Sequence, residues 1–207
     1  MAYHRRVPDD MSPPLRQPER VERATDRVAL LIPGEFYPPE RPLLHFARAV
    51  FARYGWTTQE VRWPERPPQR DGQELHVWFA RLRSFVNAHV GRILDRETAP
   101  RIALAGKSMG AFAAALAADR NLPGMWLTPV LRDSELPGDL RRSAAPFLLV
   151  GGTADPCWDP AAARGFGQPV YEAPGADHGM EIADDPVRSA EVLRQVTIAM
   201  DAHVRGW

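Results

Sequence analysis

Short apolar segments recur along this chain, and longer segments with helical periodicity separate them. The runs VALLI at 28–32 and FLLV at 147–150 contain no polar residue. Such runs are typical of strands that are covered on both faces, as in a parallel sheet. Six strands are predicted, at 28–32, 58–63, 101–105, 125–130, 147–151 and 169–173. Their alternation with helices predicts the α/β class, with a mostly parallel sheet of about six strands and helices on both faces.

The segments between the strands have apolar residues at helical spacing. Amphipathic helices are predicted over 43–54 and 75–93, and a buried helix over 109–118, which is apolar almost all round. A further helix is expected to begin near Ser134. Asp185 followed by Pro186 is typical of a helix start, and the last helix is predicted from there to residue 204.

The first 27 residues differ in composition from the rest. They are rich in arginine and proline and offer little apolar surface, so residues 1–27 are predicted to be a poorly ordered N-terminal arm. Residues 28–207 have the length of a single domain. The arm lacks the apolar stretch of a signal peptide, and no run is long enough for a membrane span. A cytoplasmic protein is therefore expected.

Charge and cysteine content exclude several classes of function. Lysine plus arginine total 26 and aspartate plus glutamate total 26, which removes the electrostatic reason to expect nucleic acid or an anionic membrane as partner. The single cysteine, Cys157, excludes an internal disulfide and a cysteine-based zinc site. No metal and no cofactor are expected. The predicted partner is a small molecule, and the predicted state is a monomer or homodimer.

One five-residue motif is typical of a catalytic site. Gly106-Lys107-Ser108-Met109-Gly110 follows a predicted strand and opens a predicted helix, which is the setting of a G-x-S-x-G nucleophile elbow. Glycines flank the serine because the turn is too tight for neighbouring side chains. The N–H of Met109 then lies at a helix N-terminus, where negative charge is favoured. The alternative is that Ser108 only caps the helix.

Two further residues follow strands that end at the same edge of the sheet. Asp155 comes after the strand at 147–151, and His178 comes after the strand at 169–173. The chain order Ser, Asp, His is that of an α/β-hydrolase. Asp155 is preferred to the alternative Asp159, four residues on, because it lies nearer a strand end. Asp177, next to His178, is a further alternative acid, although it could instead cap or orient its own loop.

With these motifs in this order, residues 28–204 resemble the α/β-hydrolase superfamily. They look most like its short, lidless members of the dienelactone-hydrolase type. The resemblance implies the α/β-hydrolase fold without a cap domain, and a serine hydrolase with Ser108 as nucleophile, Asp155 as acid and His178 as base. It also implies a backbone oxyanion hole formed by the N–H groups of Met109 and Glu35, with Phe36 as second choice for the latter.

Five residues are candidates for a substrate pocket: Phe36, Trp63, Lys107, Arg132 and Trp158. Trp63 and Trp158 follow predicted strands at the edge where ligands bind in open α/β sheets, although packing is an equally good explanation for each. Lys107 is either simply solvated or biases the site toward anionic substrates.

The function expected from the resemblance is that of a serine esterase of the EC 3.1 type, a carboxylesterase acting on small soluble esters. A thioesterase or another acyl or C–C hydrolase would use the same residues. A third alternative is a hydrolase-fold protein that binds without catalysing, which would result if the Glu35 carboxylate occupied the oxyanion hole and repelled negative charge there.

Overall fold

The computed structural model describes residues 19–207, and its centre is a seven-stranded sheet. The strands are β1 (Arg20–Val21), β2 (Arg27–Ile32), β3 (Thr57–Glu60), β4 (Arg101–Lys107), β5 (Gly124–Leu127), β6 (Phe147–Gly152) and β7 (Val170–Ala173). Their order across the sheet is β1-β3-β2-β4-β5-β6-β7. All neighbours pair in parallel except β1, which runs antiparallel to β3. The prediction of a mostly parallel sheet is confirmed.

Helices cover both faces of this sheet. They are α1 (Pro42–Arg53), α2 (Leu75–Leu94), α3 (Ala114–Arg120), α4 (Leu136–Arg142), α5 (Pro160–Gly165) and α6 (Pro186–Val204). One apolar core joins α1 and α6 to one face of the sheet, and a second core joins the other helices to the opposite face. The segment 28–32 is fully buried between the two cores, which explains why the sequence shows no polar residue there.

Two strands end earlier than the sequence pattern predicts. β3 stops at Glu60, three residues before its predicted end at Trp63, and a proline-rich segment begins at Pro64. β5 stops at Leu127, where Thr128 adopts a left-handed φ of 45° and Pro129 follows. The predicted helix over 109–118 is instead a 3-10 helix, Ser108–Ala113, continued by α3. β1 and α5 were not predicted.

Most of the predicted arm, residues 1–18, lies outside the described residues. Within the remainder, β1 forms the edge of the sheet, with Arg20 opposite Gln59 and Val21 opposite Thr58. The hydroxyl of Thr57 accepts hydrogen bonds from the N–H groups of Arg23 and Ala24 over 3.0 and 3.1 Å. Residues 20–24 are thus attached to the domain, while the poor order expected of residues 1–18 stays a prediction.

The strand order places a crevice at one edge of the sheet. After β2 the chain crosses to β3 on one side, and then returns to β4 on the other side of β2. The loops that follow β2 and β4 therefore leave the sheet in opposite directions, and ligands of open α/β sheets bind at such a switch point. Among residues 19–207, no helix is both long and apolar enough to cross a membrane.

Candidate active site

Ser108 lies in a strained turn directly after β4. Its φ is 55°, in the left-handed region that L-residues other than glycine, asparagine and aspartate rarely adopt. β4 ends at Lys107 and the 3-10 helix begins at Ser108 itself, so the chain reverses within a single residue. This geometry is that of the predicted elbow, and it brings the hydroxyl to the crevice at the carboxyl edge of the sheet.

The two glycines of the motif lie against backbone atoms. A Cβ added to Gly106 would lie 2.4 Å from the carbonyl oxygen of Gly110, and one added to Gly110 would lie 2.4 Å from the carbonyl oxygen of Ile32. Neither neighbour is a flexible side chain that could move aside. The elbow therefore requires glycine at both positions for space alone.

Gly106→Ala is expected to lower the free energy of unfolding by about 3 kcal/mol, because the new methyl group must push backbone atoms apart. Gly138→Ala is the matched control, since Gly138 lies in α4 with no atom within 4 Å of the added Cβ. That variant should be as stable as wild type or up to about 1 kcal/mol more stable. Urea unfolding followed by tryptophan fluorescence measures both, and equal stability of the two variants would contradict the steric account.

The structure brings Ser108, His178 and Asp155 together. With its ring proton on Nδ1, His178 donates to Asp155 Oδ2 over 2.8 Å, and its Nε2 accepts from Ser108 Oγ over 2.8 Å. Asp155 comes from the loop after β6 and is buried. His178 comes from the loop after β7, with about 33% of its side chain exposed. The three residues form one continuous hydrogen-bonded chain that ends at the crevice.

Asp155 is held by its own loop. Its second carboxylate oxygen, Oδ1, accepts from the N–H of Cys157 over 2.8 Å. Its backbone N–H donates to the carbonyl of Gly152, and its carbonyl accepts from the N–H of Trp158, each over 3.1 Å. The orientation of the carboxylate toward His178 is thus fixed before any ligand binds.

The other two candidate acids have local structural roles. Asp159 caps α5 and accepts from the N–H groups of Ala161 and Ala162 over 3.0 Å each. Asp177 Oδ1 accepts from the N–H groups of Gly179 and Glu181 over 2.7 and 3.0 Å. Among the described residues, Asp155 is the only one of these three aspartates whose carboxylate is hydrogen-bonded to His178.

A cavity of about 830 Å³ opens beside Ser108 and His178. Met109, Gly34 and Glu35 line it together with Ser108, so both expected oxyanion donors border the same space. The Glu35 carboxylate accepts a 2.7 Å hydrogen bond from Gln69 Nε2 and is thereby tied to the loop after β3. The apolar wall includes Tyr37, Leu75, Trp78, Phe79, Met109 and Val130.

Three of the five predicted pocket residues line this cavity: Phe36, Lys107 and Arg132. Trp63 and Trp158 do not, and for both the packing explanation is correct. Trp63 lies beyond the end of β3 and packs against Phe85 and His89. Trp158 is buried against Gly151, and its Nε1 donates to Glu172 over 2.7 Å. Position near a strand end does not by itself tell where a side chain points.

Lys107 is buried, so the interpretation of this residue as a simply solvated side chain is wrong. It is 3% exposed, and burial lowers its pKa to about 8. The aromatic residues of the wall, Tyr37, Trp78 and Phe79, were missed as pocket residues. Trp78 and Phe79 belong to the apolar face of α2, and the sequence offers no signal that separates the part of that face lining a cavity from the part in the core.

One group of potential metal ligands occurs among residues 19–207. It consists of Asp155, Cys157 and His178, whose candidate ligand atoms lie within 4.8 Å of one another. Asp155 and His178 are already hydrogen-bonded to each other, and burial raises the pKa of the Cys157 thiol, which disfavours the thiolate that metals bind. The expectation that the site works without a metal stays a prediction.

The structure is similar to several solved hydrolases. A serine hydrolase without a lid from Xanthomonas campestris matches at a TM-score of 0.62 and 16% identity, over 88% of this chain and 82% of that one. An esterase from Pyrococcus furiosus matches at a TM-score of 0.64 and 13% identity, over 92% of this chain and 86% of that one. Est1E of Butyrivibrio proteoclasticus, solved with ferulic acid bound, matches at a TM-score of 0.61 and 13% identity, over 91% of this chain and 95% of that one. No protein-family model and no curated protein matches the sequence.

The chain has the α/β-hydrolase fold. The predicted fold class is therefore confirmed, including the lack of a cap domain in the described residues. In this α/β-hydrolase fold, residues 128–135 are all that connects β5 to α4, the position at which a cap would be inserted. The cavity beside Ser108 is consequently open to solvent at its rim, where Phe36 is 72% exposed.

Proposed function

We propose that this protein is a serine hydrolase that cleaves carboxylic esters. One observation carries the proposal, namely the chain of two 2.8 Å hydrogen bonds that links Ser108 Oγ through His178 to the buried Asp155. A serine hydroxyl is a weak nucleophile unless an adjacent base removes its proton, and this chain supplies such a base. The strained φ of Ser108 and the cavity in front of it support the same assignment.

The reaction begins with attack of Ser108 Oγ on the ester carbonyl, while His178 Nε2 takes the hydroxyl proton. The N–H groups of Met109 and Glu35 donate to the developing oxyanion. Collapse of the tetrahedral intermediate releases the alcohol, which receives the proton from His178, and leaves an acyl-serine. Water, deprotonated by the same imidazole, then hydrolyses the acyl-serine and restores the free hydroxyl.

Asp155 acts through His178. By accepting from Nδ1, its carboxylate holds the tautomer in which Nε2 is free to take a proton, and it stabilises the imidazolium that forms. The burial of Asp155 strengthens this interaction because little water competes for the carboxylate.

The cavity favours substrates of modest size with an apolar part. A volume of about 830 Å³ and an aromatic wall accommodate an aryl or medium-length acyl group, while the lack of a lid leaves the site accessible to soluble esters. The solved complex of Est1E with ferulic acid is consistent with an aromatic carboxylic acid as acyl part. The same residues would also cleave a thioester or another acyl bond. The geometry of the site favours neither of these substrates over an oxygen ester.

Binding without catalysis is the competing function. It would require the Glu35 carboxylate to enter the space between the two oxyanion donors and repel negative charge there. The hydrogen bond from Gln69 gives that carboxylate a partner elsewhere, which supports a catalytic site over a blocked one.

A fluorophosphonate probe tests the proposal directly, because it reacts covalently only with an activated serine. We expect labelling of the wild-type protein at Ser108, no labelling of Ser108→Ala, and labelling of His178→Ala slowed by a factor of about 10² or more. Ser134→Ala is the matched control, since Ser134 lines the same cavity but lies outside the hydrogen-bonded chain, and it should label like wild type. A folded wild-type protein that is not labelled, or is labelled elsewhere, would overturn the proposal.

A further inference from the structure

Lys107 stands out among the residues around the site. It is the only lysine of the chain, although lysine and arginine together number 26. It is the last residue of β4, directly before Ser108, and both residues line the same cavity. With 3% exposure it is far more buried than lysine side chains usually are. None of the catalytic steps proposed above uses it.

The side chain of Lys107 is held in place by the loop after β2. Its Nζ lies 4.8 Å from the centroid of the Tyr37 ring, within the range of a cation–π contact. Tyr37 is fixed in turn, because its hydroxyl accepts from the N–H of Leu43 over 3.0 Å. A Cβ at Gly34 would lie 3.3 Å from Lys107 Cδ, so the stem passes close to the backbone. The position of the ammonium group is therefore well defined.

The ammonium group has no hydrogen-bond acceptor among the described residues. The nearby carboxylates that favour its charge belong to Asp155 and Asp177. Asp155 accepts from His178 and from the N–H of Cys157, and Asp177 Oδ1 accepts from two backbone N–H groups of its own loop. No salt bridge joins either of them to Lys107 within 19–207, so its N–H donors are left for whatever occupies the cavity.

A buried cation without an acceptor is unfavourable, and an anionic ligand group would offset that cost. We propose that Lys107 is the residue that recognises an anionic group of the substrate, and that the preferred substrates are esters carrying a free carboxylate. This inference rests on the proposed function, since it names the substrate class of the same site. Lys107 and Ser108 line the same cavity, so we place the carboxylate on the same small molecule as the bond that is cleaved.

The state of Lys107 at neutral pH fits this role. Burial lowers the pKa of Lys107 to about 8, and the positive charge of Arg41 acts in the same direction. Asp155, Cys157 and Asp177 oppose this shift, because negative charge nearby favours the ammonium form. Because pH 7 lies below that pKa, most molecules carry the ammonium form that binds an anion. As the pH rises through about 8 the group loses its proton, so the free enzyme should lose its preference for carboxylate-bearing esters over that interval.

The single lysine allows a test that does not depend on activity. Biosynthetic incorporation of lysine labelled with carbon-13 at Cε gives one signal in the NMR spectrum of the full-length protein. We expect glutarate to shift this signal saturably and to raise the pKa of Lys107, and we expect the uncharged isostere glutaramide to have no such effect. A Lys107 signal that glutarate leaves unmoved would overturn the inference, whether or not the protein hydrolyses esters.

Kinetics supply the second readout. We compare kcat/KM for two aryl esters of equal length, one ending in a carboxylate and the other in a carboxamide, after subtraction of rates without enzyme. Wild type should prefer the carboxylate by about tenfold or more at pH 7, and Lys107→Met should bring the ratio close to one whatever its absolute rates. Lys107→Arg should retain part of the preference.

Arg132→Met is the matched control, because Arg132 is an exposed cation at the same cavity, and it should change the ratio by less than about twofold. A wild-type ratio near one, with hydrolysis of the neutral ester intact, would overturn the substrate class and leave the proposed function standing. Equal losses on both esters in Lys107→Met, with an unchanged ratio, would show that Lys107 only compensates the charge of Asp155. Failure to hydrolyse either ester would count against the proposed function, and the NMR titration would then decide on Lys107 by itself.

Discussion

Ser108→Ala is expected to lower kcat for a neutral aryl ester by about 10⁴-fold or more, because the hydroxyl that forms the acyl intermediate is gone. The residual rate would come from the oxyanion donors and from binding alone. Initial rates with a chromogenic ester measure the effect, with circular dichroism to show that the variant is folded. A variant within tenfold of wild type would contradict the assignment of Ser108 as nucleophile.

The same position offers an internal control on the strain of the elbow. Ser108 has a φ of 55°, which alanine tolerates poorly and glycine adopts freely. Ser108→Gly should therefore be about as inactive as Ser108→Ala but more stable than it by about 1 kcal/mol. Urea unfolding of the two variants separates loss of the nucleophile from relief of backbone strain. Equal stabilities would contradict the strain at this residue.

Asp155→Asn is expected to lower kcat by about 10⁴-fold with little change in KM. An asparagine amide that donates to Nδ1 would hold His178 in the wrong tautomer, with the ring proton on Nε2, where it cannot accept the proton of Ser108. The measurement is steady-state hydrolysis of the same ester, together with fluorophosphonate labelling, which should slow in parallel.

Asp159→Asn is the control for Asp155→Asn, four residues away and on the same loop. Asp159 caps α5, and asparagine caps a helix as well as aspartate does. This variant should keep activity within about twofold of wild type and should keep its stability. Comparable losses in the two variants would show that the loop as a whole, and not the contact of Asp155 with His178, supports activity.

Much of the fold could be predicted from local patterns. The uninterrupted apolar runs at β2 and β6 reflect burial on both faces, and the Asp185-Pro186 pair marks the start of α6 as the structure has it. The end of β5 was predicted too late, because apolar residues continue past the left-handed Thr128, where the ladder stops. β3 ends at Glu60 although the apolar residues Val61 and Trp63 follow it. β1 was missed because its two residues carry no periodicity of their own.

The candidate site was predicted in part. Ser108, Asp155 and His178 were identified because each follows a strand, and parallel strands deliver the residues after them to one edge. Trp63 and Trp158 satisfied the same rule and yet point into the core, whereas Trp78 on a helix lines the cavity. Position along the chain predicts the edge at which a residue lies but not the direction of its side chain.

The sequence by itself determined the alternation of β2 to β7 with most of the helices and the tight turn at Ser108, because periodicity and glycine placement act over a few residues. Only the tertiary structure decided which of three aspartates faces His178, since all three lie in loops at the same edge and differ in their hydrogen-bond partners. It also decided that Lys107 is buried against Tyr37 without an acceptor within residues 19–207. That environment is built by residues some seventy positions apart in the chain, and no local pattern encodes it.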